Sequence, residues 1–246
     1  EGDPGQFVEV ANEIGFTATS REREVDELAR QPLLPVRQNP AGPGIAIGDV
    51  NGDGWEDILV GGSNEVAPLA FVRSPEGRFH PSSGGADAWS QVLNDGPLLI
   101  ADFDGDGESD ILRTKAGVAL PSGSSDYAPD LSLSAGGRPG EIQDLTLSVG
   151  AAAAADFNRD GRLDLFLGAR VEPGAYPHAP ASALLLNGED GFVNVTGSFA
   201  PSLEQVGMVT SALWSDVDGD GWLDLLLTVE WGGVVFLRNL EGRGFE

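Results

Sequence analysis

Four stretches of the chain carry oxygen-bearing side chains at one shared spacing. Counted from the first Asp of each, positions 1, 3, 5 and 9 are Asp49, Asn51, Asp53 and Asp57 in residues 49–57, and Asp102, Asp104, Asp106 and Asp110 in residues 102–110. They are Asp156, Asn158, Asp160 and Asp164 in residues 156–164, and Asp216, Asp218, Asp220 and Asp224 in residues 216–224. Position 6 is always glycine (Gly54, Gly107, Gly161, Gly221), which permits the sharp bend that turns successive side chains around one point. Hard cations such as Ca²⁺ accept roughly six to eight oxygens in flexible geometry, and each turn offers such a set. The backbone carbonyl at position 7 (Trp55, Glu108, Arg162, Trp222) would add one more. Mg²⁺ needs stricter octahedral geometry and keeps its waters, so the expected cofactor is Ca²⁺, up to four ions. An EF-hand is excluded, because position 12 is Val60, Arg113, Leu167 or Leu227 rather than Glu. Asp, Asn and Gly also build ordinary hairpin turns. Three or four carboxylates brought together in one turn would, however, repel without a cation.

The elements that position these turns repeat with them. Each turn lies between apolar runs of four to six residues rich in Ile, Leu, Val and Phe, as in IAIGDVNGDGWEDILVGG and ALWSDVDGDGWLDLLLTV, which predicts a β-hairpin. The first Asp residues, 49, 102, 156 and 216, are 53, 54 and 60 residues apart, a period that suits a four-stranded propeller blade. The fold class is therefore all-β, with residues 1–246 forming one β-propeller domain or a segment of one. Alanines 151–155 align with the strands IAIG, LLIA and ALWS and are read as strand, against their helix propensity. A second element, an apolar strand and a turn ending in Gly-x-Phe or Gly-Phe, follows at 70–79, 183–192 and 234–245. Its degenerate counterpart in the second repeat is GVALPSGSSDY, residues 117–127. Residues 171–181 are an insertion, expected in a surface loop. Ahead of the blades, an excursion over about 17–41 holds the best helix candidate, Thr19 to Gln31, with Thr19 and Glu22 at capping-box spacing. A charged surface segment is the other reading of that stretch.

Composition removes several function classes. The 246 residues carry a formal charge of −25, with 39 acidic residues against 14 basic ones, and Lys115 is the single lysine; such a surface repels nucleic acid. Zero Cys excludes disulfides, Cys-ligated zinc, iron–sulfur clusters and thiol nucleophiles. The two histidines, His80 and His178, are too isolated to propose a catalytic pair. There is no nucleophile elbow or phosphate-binding glycine loop, and the chain is not expected to be an enzyme. No apolar stretch approaches the ~18–20 residues needed to span a bilayer.

These repeats resemble FG-GAP/VCBS repeats, the calcium-binding blades of integrin α-subunit propellers, over roughly residues 42–246 and more weakly over Gly5 to Phe16. The segments LLLNGEDGFVNVT and VVFLRNLEGRGFE are similar to the bacterial branch associated with ASPIC/UnbV proteins. The resemblance implies metal ligands at the positions above, and propellers of six to eight blades. Arg159 stands where position 4 is usually Gly, and Arg162 adds a second cation, so a weaker third site is expected. The Phe-Gly and Gly-Ala-Pro signatures are largely missing, so integrin-like ligand binding does not carry over.

The expected function is a calcium-stabilised extracellular binding or adhesion scaffold for protein partners, secreted, at the cell surface or periplasmic, and bacterial. The alternative is a lectin-like propeller or the non-catalytic part of a polysaccharide-active enzyme. Five tryptophans, Trp55, Trp89, Trp214, Trp222 and Trp231, could stack on sugar rings or simply pack between blades. Four repeats could close a four-bladed ring, with Gly5 to Val10 completing the last blade. The reading favoured here is an open segment whose end faces associate with missing blades. Fourteen carboxylates sit at ligand positions, and four Ca²⁺ would bring the charge from −25 to about −17.

Overall fold

A computed structural model describes residues 8–39, 42–82, 92–134, 142 and 144–246. Gly5 to Phe7 and Trp89 lie outside the described residues. The architecture is four antiparallel sheets, one per repeat. Blade one consists of β1 (Ile45–Gly48), β2 (Asp57–Val60), β3 (Leu69–Arg73) and β4 (Phe79–Ser82) in chain order. Blade two is β5 (Asn94–Ala101), β6 (Asp110–Ala116) and β7 (Asp130–Ser132). Blade three is β8 (Ser148–Ala155), β9 (Asp164–Val171), β10 (Ala183–Gly188) and β11 (Gly191–Asn194). Blade four is β12 (Met208–Ser215), β13 (Asp224–Glu230) and β14 (Val234–Leu237), with an Asn239–Phe245 bridge beyond it. In every blade the acidic turn joins the first strand to the second, so position 9 is the first residue of the second strand. Alanines 151–155 are strand, within β8.

Alternation along the strands gives each sheet two apolar faces. One face, which we term forward, carries side chains three residues before and ten after the first Asp, with their third-strand partner. In blade one these are Ala46, Leu59 and Ala70, and they meet Leu98 of blade two. Leu99, Leu112 and Leu131 of blade two pack against Leu165, Leu167 and Leu185 of blade three. In blade three, Phe166 and Leu184 meet Leu225, Leu227 and Leu237 of blade four. The first strands follow the same order, β1 beside β5, β5 beside β8 and β8 beside β12. The core is therefore a series of three interblade layers.

On the first blade, by contrast, Ile45 and Ile47 of the backward face are 60% and 61% exposed, and Leu213 on the forward face of the last is 60% exposed. The two end faces do not cover each other among the described residues. A closed four-bladed ring would bury both.

Three local expectations are corrected. Thr19 to Gln31 is not a long helix: only α2 (Glu27–Arg30) is helical, after a short α1 (Ala11–Ile14). Its N-cap is Asp26, whose carboxylate accepts from the Ala29 N–H at 3.1 Å, and Thr19 and Glu22 precede the helix. Outside α2 the segment is irregular, and it straps the blades. Arg23 and Asn64 exchange two hydrogen bonds, and Arg30 donates to the carbonyls of Val118, Ala119 and Leu120. Buried Glu27 accepts from the N–H groups of Gln38 and Asn39. The third strand of blade two is β7, not residues 117–127, which form a turn organised around buried Tyr127. At the N-terminal end, Val8 to Val10 form no strand; Phe16 instead lies against Phe71 of β3, with ring centroids 4.7 Å apart.

Candidate metal centre

Each acidic turn is built around its first carboxylate. Asp49 accepts from the N–H groups of Gly52 at 2.8 Å and Gly54 at 2.7 Å, and Asp102 accepts from Gly105 and Gly107. In the same way Asp156 accepts from Asp160 and Gly161, and Asp216 from Gly219 and Gly221. Position 3 accepts from the N–H of position 5, and position 5 (Asp53, Asp106, Asp160, Asp220) from the N–H of position 7. This winding requires left-handed backbone at position 6, where the four glycines have φ of 86°, 89°, 89° and 92°. Position 4 is left-handed too. Gly52, Gly105 and Gly219 meet that need freely, whereas Arg159 at φ 62° carries a Cβ cost of about 1 kcal/mol.

Position 9 differs from the rest in being fully buried: Asp57, Asp110, Asp164 and Asp224 are each 0% exposed. Each carboxylate joins the turn to the third strand of its blade or to the residues just after it. Asp57 accepts from Val50 and Arg73, Asp110 from Phe103 and Ser134, and Asp224 from Val217 and Asn239. Asp164 accepts from Asn187 through one oxygen; its other oxygen is buried without a well-formed hydrogen bond, because the nearby Phe157 N–H donates to the Ala155 carbonyl at 3.1 Å.

The structure brings three members of two of the sequence-predicted sets together tightly, leaving Asp110 and Asp220 outside these clusters. Carboxylate oxygens of Asp102, Asp104 and Asp106 lie within 4.8 Å of one another, as do those of Asp216, Asp218 and Asp224. In the first and third turns the residue at position 3 is Asn, and its amide donates to position 5: Asn51 to Asp53 at 3.0 Å and Asn158 to Asp160 at 3.1 Å. The position-7 residues Trp55, Glu108, Arg162 and Trp222 sit where the turn enters the second strand. Arg162 also donates to Asp160 and to the Asn187 carbonyl, so the third turn holds a cation of its own. Arg159 leaves its own turn. Its guanidinium donates to the Gly221 carbonyl and lies 4.3 Å from the centroid of the Trp222 ring.

Proton affinities follow this crowding. Burial, together with the neighbouring Asp110, Asp106 and Asp102, raises the Asp104 carboxyl above its ordinary value. Asp164 is pushed up to about 7, chiefly by burial and then by Asp160 and Asp156, against the N–H groups of Asn187 and Phe157. Asp49 moves the other way: burial opposes ionisation, but the N–H groups of Gly54, Asn51, Gly52 and Asp53 outweigh it. A buried carboxylate oxygen without a well-formed hydrogen bond and a carboxyl raised by like charges are the marks of a donor set that fits a hard cation.

Sequence reasoning missed Asn187 and Asn239. Asn187, from blade three, donates to the Phe103 carbonyl in the acidic turn of blade two at 2.8 Å and to Leu163 in its own turn at 3.0 Å. Asn239, from blade four, repeats this with Phe157 and Leu223, both at 2.9 Å. Each Asn latches the turn of one blade to that of the next. The one available signal was the Asn that follows the third-strand run in ALLLNG and VVFLRN.

The fold and site together define a protein of repeated β-blades with oxygen-rich turns between first and second strands. Residues 49–113 and 156–227 match the FG-GAP-like repeat, and since these stretches take in more than half of the chain, it belongs to that family. Among solved structures it is similar to a lectin of Agrocybe aegerita that specifically recognises non-reducing terminal N-acetylglucosamine. The identity is 16% and the TM-score 0.44, over 83% of this chain and 51% of that one. It is also similar to the V. cholerae biofilm matrix protein Bap1, at 16% identity and TM-score 0.33, over 85% of this chain and 30% of that one. The chain thus spans about half the length of the first and under a third of the second. No curated protein matches it significantly.

Proposed function

We propose that the chain is a calcium-clamped β-propeller scaffold that binds protein partners outside the cell. The observation that carries this reading is the convergence of carboxylates in turns of one design, tightest at Asp102, Asp104 and Asp106 and at Asp216, Asp218 and Asp224. Positions 1, 3, 5 and 9 and the carbonyl of position 7 would hold each ion. Bound Ca²⁺ would supply charge neutralisation where three or four carboxylates meet. Because position 9 also holds the third strand, a filled turn would stiffen the whole blade. Sites of this kind in extracellular modules bind in the range of about 10⁻⁴–10⁻³ M, which suits the calcium level outside cells. No helix among the described residues is long and apolar enough to cross a membrane.

We read the chain as a binding module rather than an enzyme, because the polar groups that converge do so in the turns and are engaged with turn backbone. A sugar-stacking role would need an open tryptophan face. Arg73 lies 5.1 Å from the Trp55 ring centroid, Arg159 lies over Trp222, and Trp214 stacks on Phe157 at 5.9 Å in the interblade layer; Trp231, 75% exposed and meeting Tyr176 only edge to face, is the tryptophan among the described residues that the sugar-binding alternative would use.

Thermal melting with and without calcium tests the clamp. At ~10 mM calcium and dissociation constants in that range, each site contributes about 1.4–2.7 kcal/mol. Four sites should raise the melting temperature by more than ~10 °C over the chelated protein. Superimposable curves would refute the clamp.

A further inference from the structure

The acidic turns of blades two, three and four are joined through single buried side chains. Asn187, near the end of β10, makes three contacts at once. Its amide donates to the carbonyl of Phe103, which lies between the ligand positions Asp102 and Asp104 of the second turn, and to the carbonyl of Leu163, which precedes Asp164 in the third. Its backbone N–H donates to Asp164 itself at 2.9 Å. Asn239 does the same one blade on. Its amide reaches the carbonyl of Phe157, between Asp156 and Asn158, and that of Leu223, while its N–H donates to Asp224 at 2.9 Å. Phe103 and Phe157 are 4% and 0% exposed, so these contacts are shielded from water. The second, third and fourth turns therefore form one hydrogen-bonded run.

The link between the first and second turns is of a different kind. Ser134 takes in blade two the place that Asn187 takes in blade three, since its N–H donates to the position-9 carboxylate, Asp110, at 3.0 Å. Its hydroxyl, however, turns back to Asp106 of its own turn at 3.2 Å.

We propose that Asn187 and Asn239 are positioning residues that couple calcium binding in the second, third and fourth turns, so that these three fill cooperatively while the first fills on its own. The inference rests on the calcium reading above. An ion in the second turn would fix the backbone between Asp102 and Asp104, and with it Asn187. Asn187 in turn holds Asp164, the buried position-9 ligand of the third turn, and the peptide before it. Ordering that calcium would otherwise have to impose on the third turn is then already in place, and a site ordered in advance binds more tightly. Asn239 carries the effect on to Asp224. By linkage the coupling is mutual, and couplings between sites run at roughly 5–150-fold in affinity. A link through one side chain belongs at the low end of that range.

The test follows calcium-dependent hydrogen exchange in the full chain, peptide by peptide, so that each turn reports its own midpoint. Asp102→Asn with Asp104→Asn empties the second turn while keeping its side-chain shapes. The midpoint of residues 156–164 should then rise about 5–10-fold in calcium, and that of residues 49–57 should stay in place. The first turn flanks the second on its other side and so controls for the lost charge. Turns two and three are the pair to use, because Arg159 gives the third and fourth an additional contact at the Gly221 carbonyl. In an Asn187→Ala background, or with Asn187→Ser, which copies blade two, the same two substitutions should no longer move the third turn. A midpoint for residues 156–164 that ignores the emptied second turn would overturn the coupling and leave the clamp standing. So would an equal shift in residues 49–57, or a shift that persists in both Asn187 variants. Calcium that protects none of the turns would overturn the coupling and the clamp together.

Discussion

Replacing Asn239 by alanine should cost more than its size suggests. Asn239 is 2% exposed, and its amide donates to the Phe157 carbonyl in the turn of blade three and to the Leu223 carbonyl in the turn of blade four, both at 2.9 Å. Its side-chain oxygen accepts from the Gly242 N–H at 2.7 Å, which shapes the turn leading to the bridge between Asn239 and Phe245. Alanine leaves two carbonyls and one N–H without this partner. At about 1–3 kcal/mol for each buried group left unsatisfied, and with Gly242 nearer the surface, the loss comes to roughly 3–5 kcal/mol. For a chain of this size that is a fall in melting temperature of roughly 6–20 °C. The assay is urea unfolding followed by tryptophan fluorescence, in which Trp214, packed against Phe157 and Phe245, reports on the same interblade layer. Asn187→Ala should behave alike one blade earlier. A loss below about 1 kcal/mol in both variants would refute the latch and leave the blades held by apolar packing alone.

Three further outcomes follow from particular contacts. Lys115 pairs with Asp95 at 2.6 Å, both nearly fully buried, so Lys115→Met should destabilise by about 3–5 kcal/mol by leaving a buried charge held only by the Gly62 N–H, with partial recovery in the Lys115→Met, Asp95→Leu double variant, which leaves that N–H unpaired; chemical denaturation reads both. Burial pushes the Tyr127 hydroxyl up to about 12 from an ordinary 10. Because the folded state holds this proton more tightly, the tyrosine's contribution to stability is complete below pH 10 and is lost as pH rises from 10 through 12. Tyr127→Phe should flatten that part of a stability–pH curve. Arg159→Gly relieves the left-handed strain but removes the hydrogen bond to the Gly221 carbonyl and the stacking on Trp222, so the melting temperature should change little while calorimetry shows tighter calcium binding at the fourth turn, which loses the cation beside it.

The blades were legible because their signal is local. Short apolar runs at a period of 53–60 residues, split by turns with glycine at position 6, specify hairpins without help from distant chain, and this decided alanines 151–155 against their own propensity. What depended on distant partners was not legible. Residues 19–26 have helical composition, but Arg23 and Arg30 find partners on the first two blades, and satisfying them keeps most of the segment from forming helix. β7 is only Asp130 to Ser132, too short and polar to show alternation, and it is a strand because Leu112 and Arg113 offer it an edge. In the turns, residue types and spacing pointed to a cation. They could not show that position 9 is buried and ties down the third strand, or that Asn187 and Asn239 reach into the preceding turn, since both facts belong to the assembled sheet.

Counting the calcium ions bound per chain, by native mass spectrometry and titration calorimetry on the same protein, tests the central claim most directly. The account predicts four ions at saturating calcium, the third turn filling last, and three ions for the variant carrying Asp216→Asn and Asp218→Asn. A chain that binds no calcium, or one whose count is unchanged by those two substitutions, would contradict it.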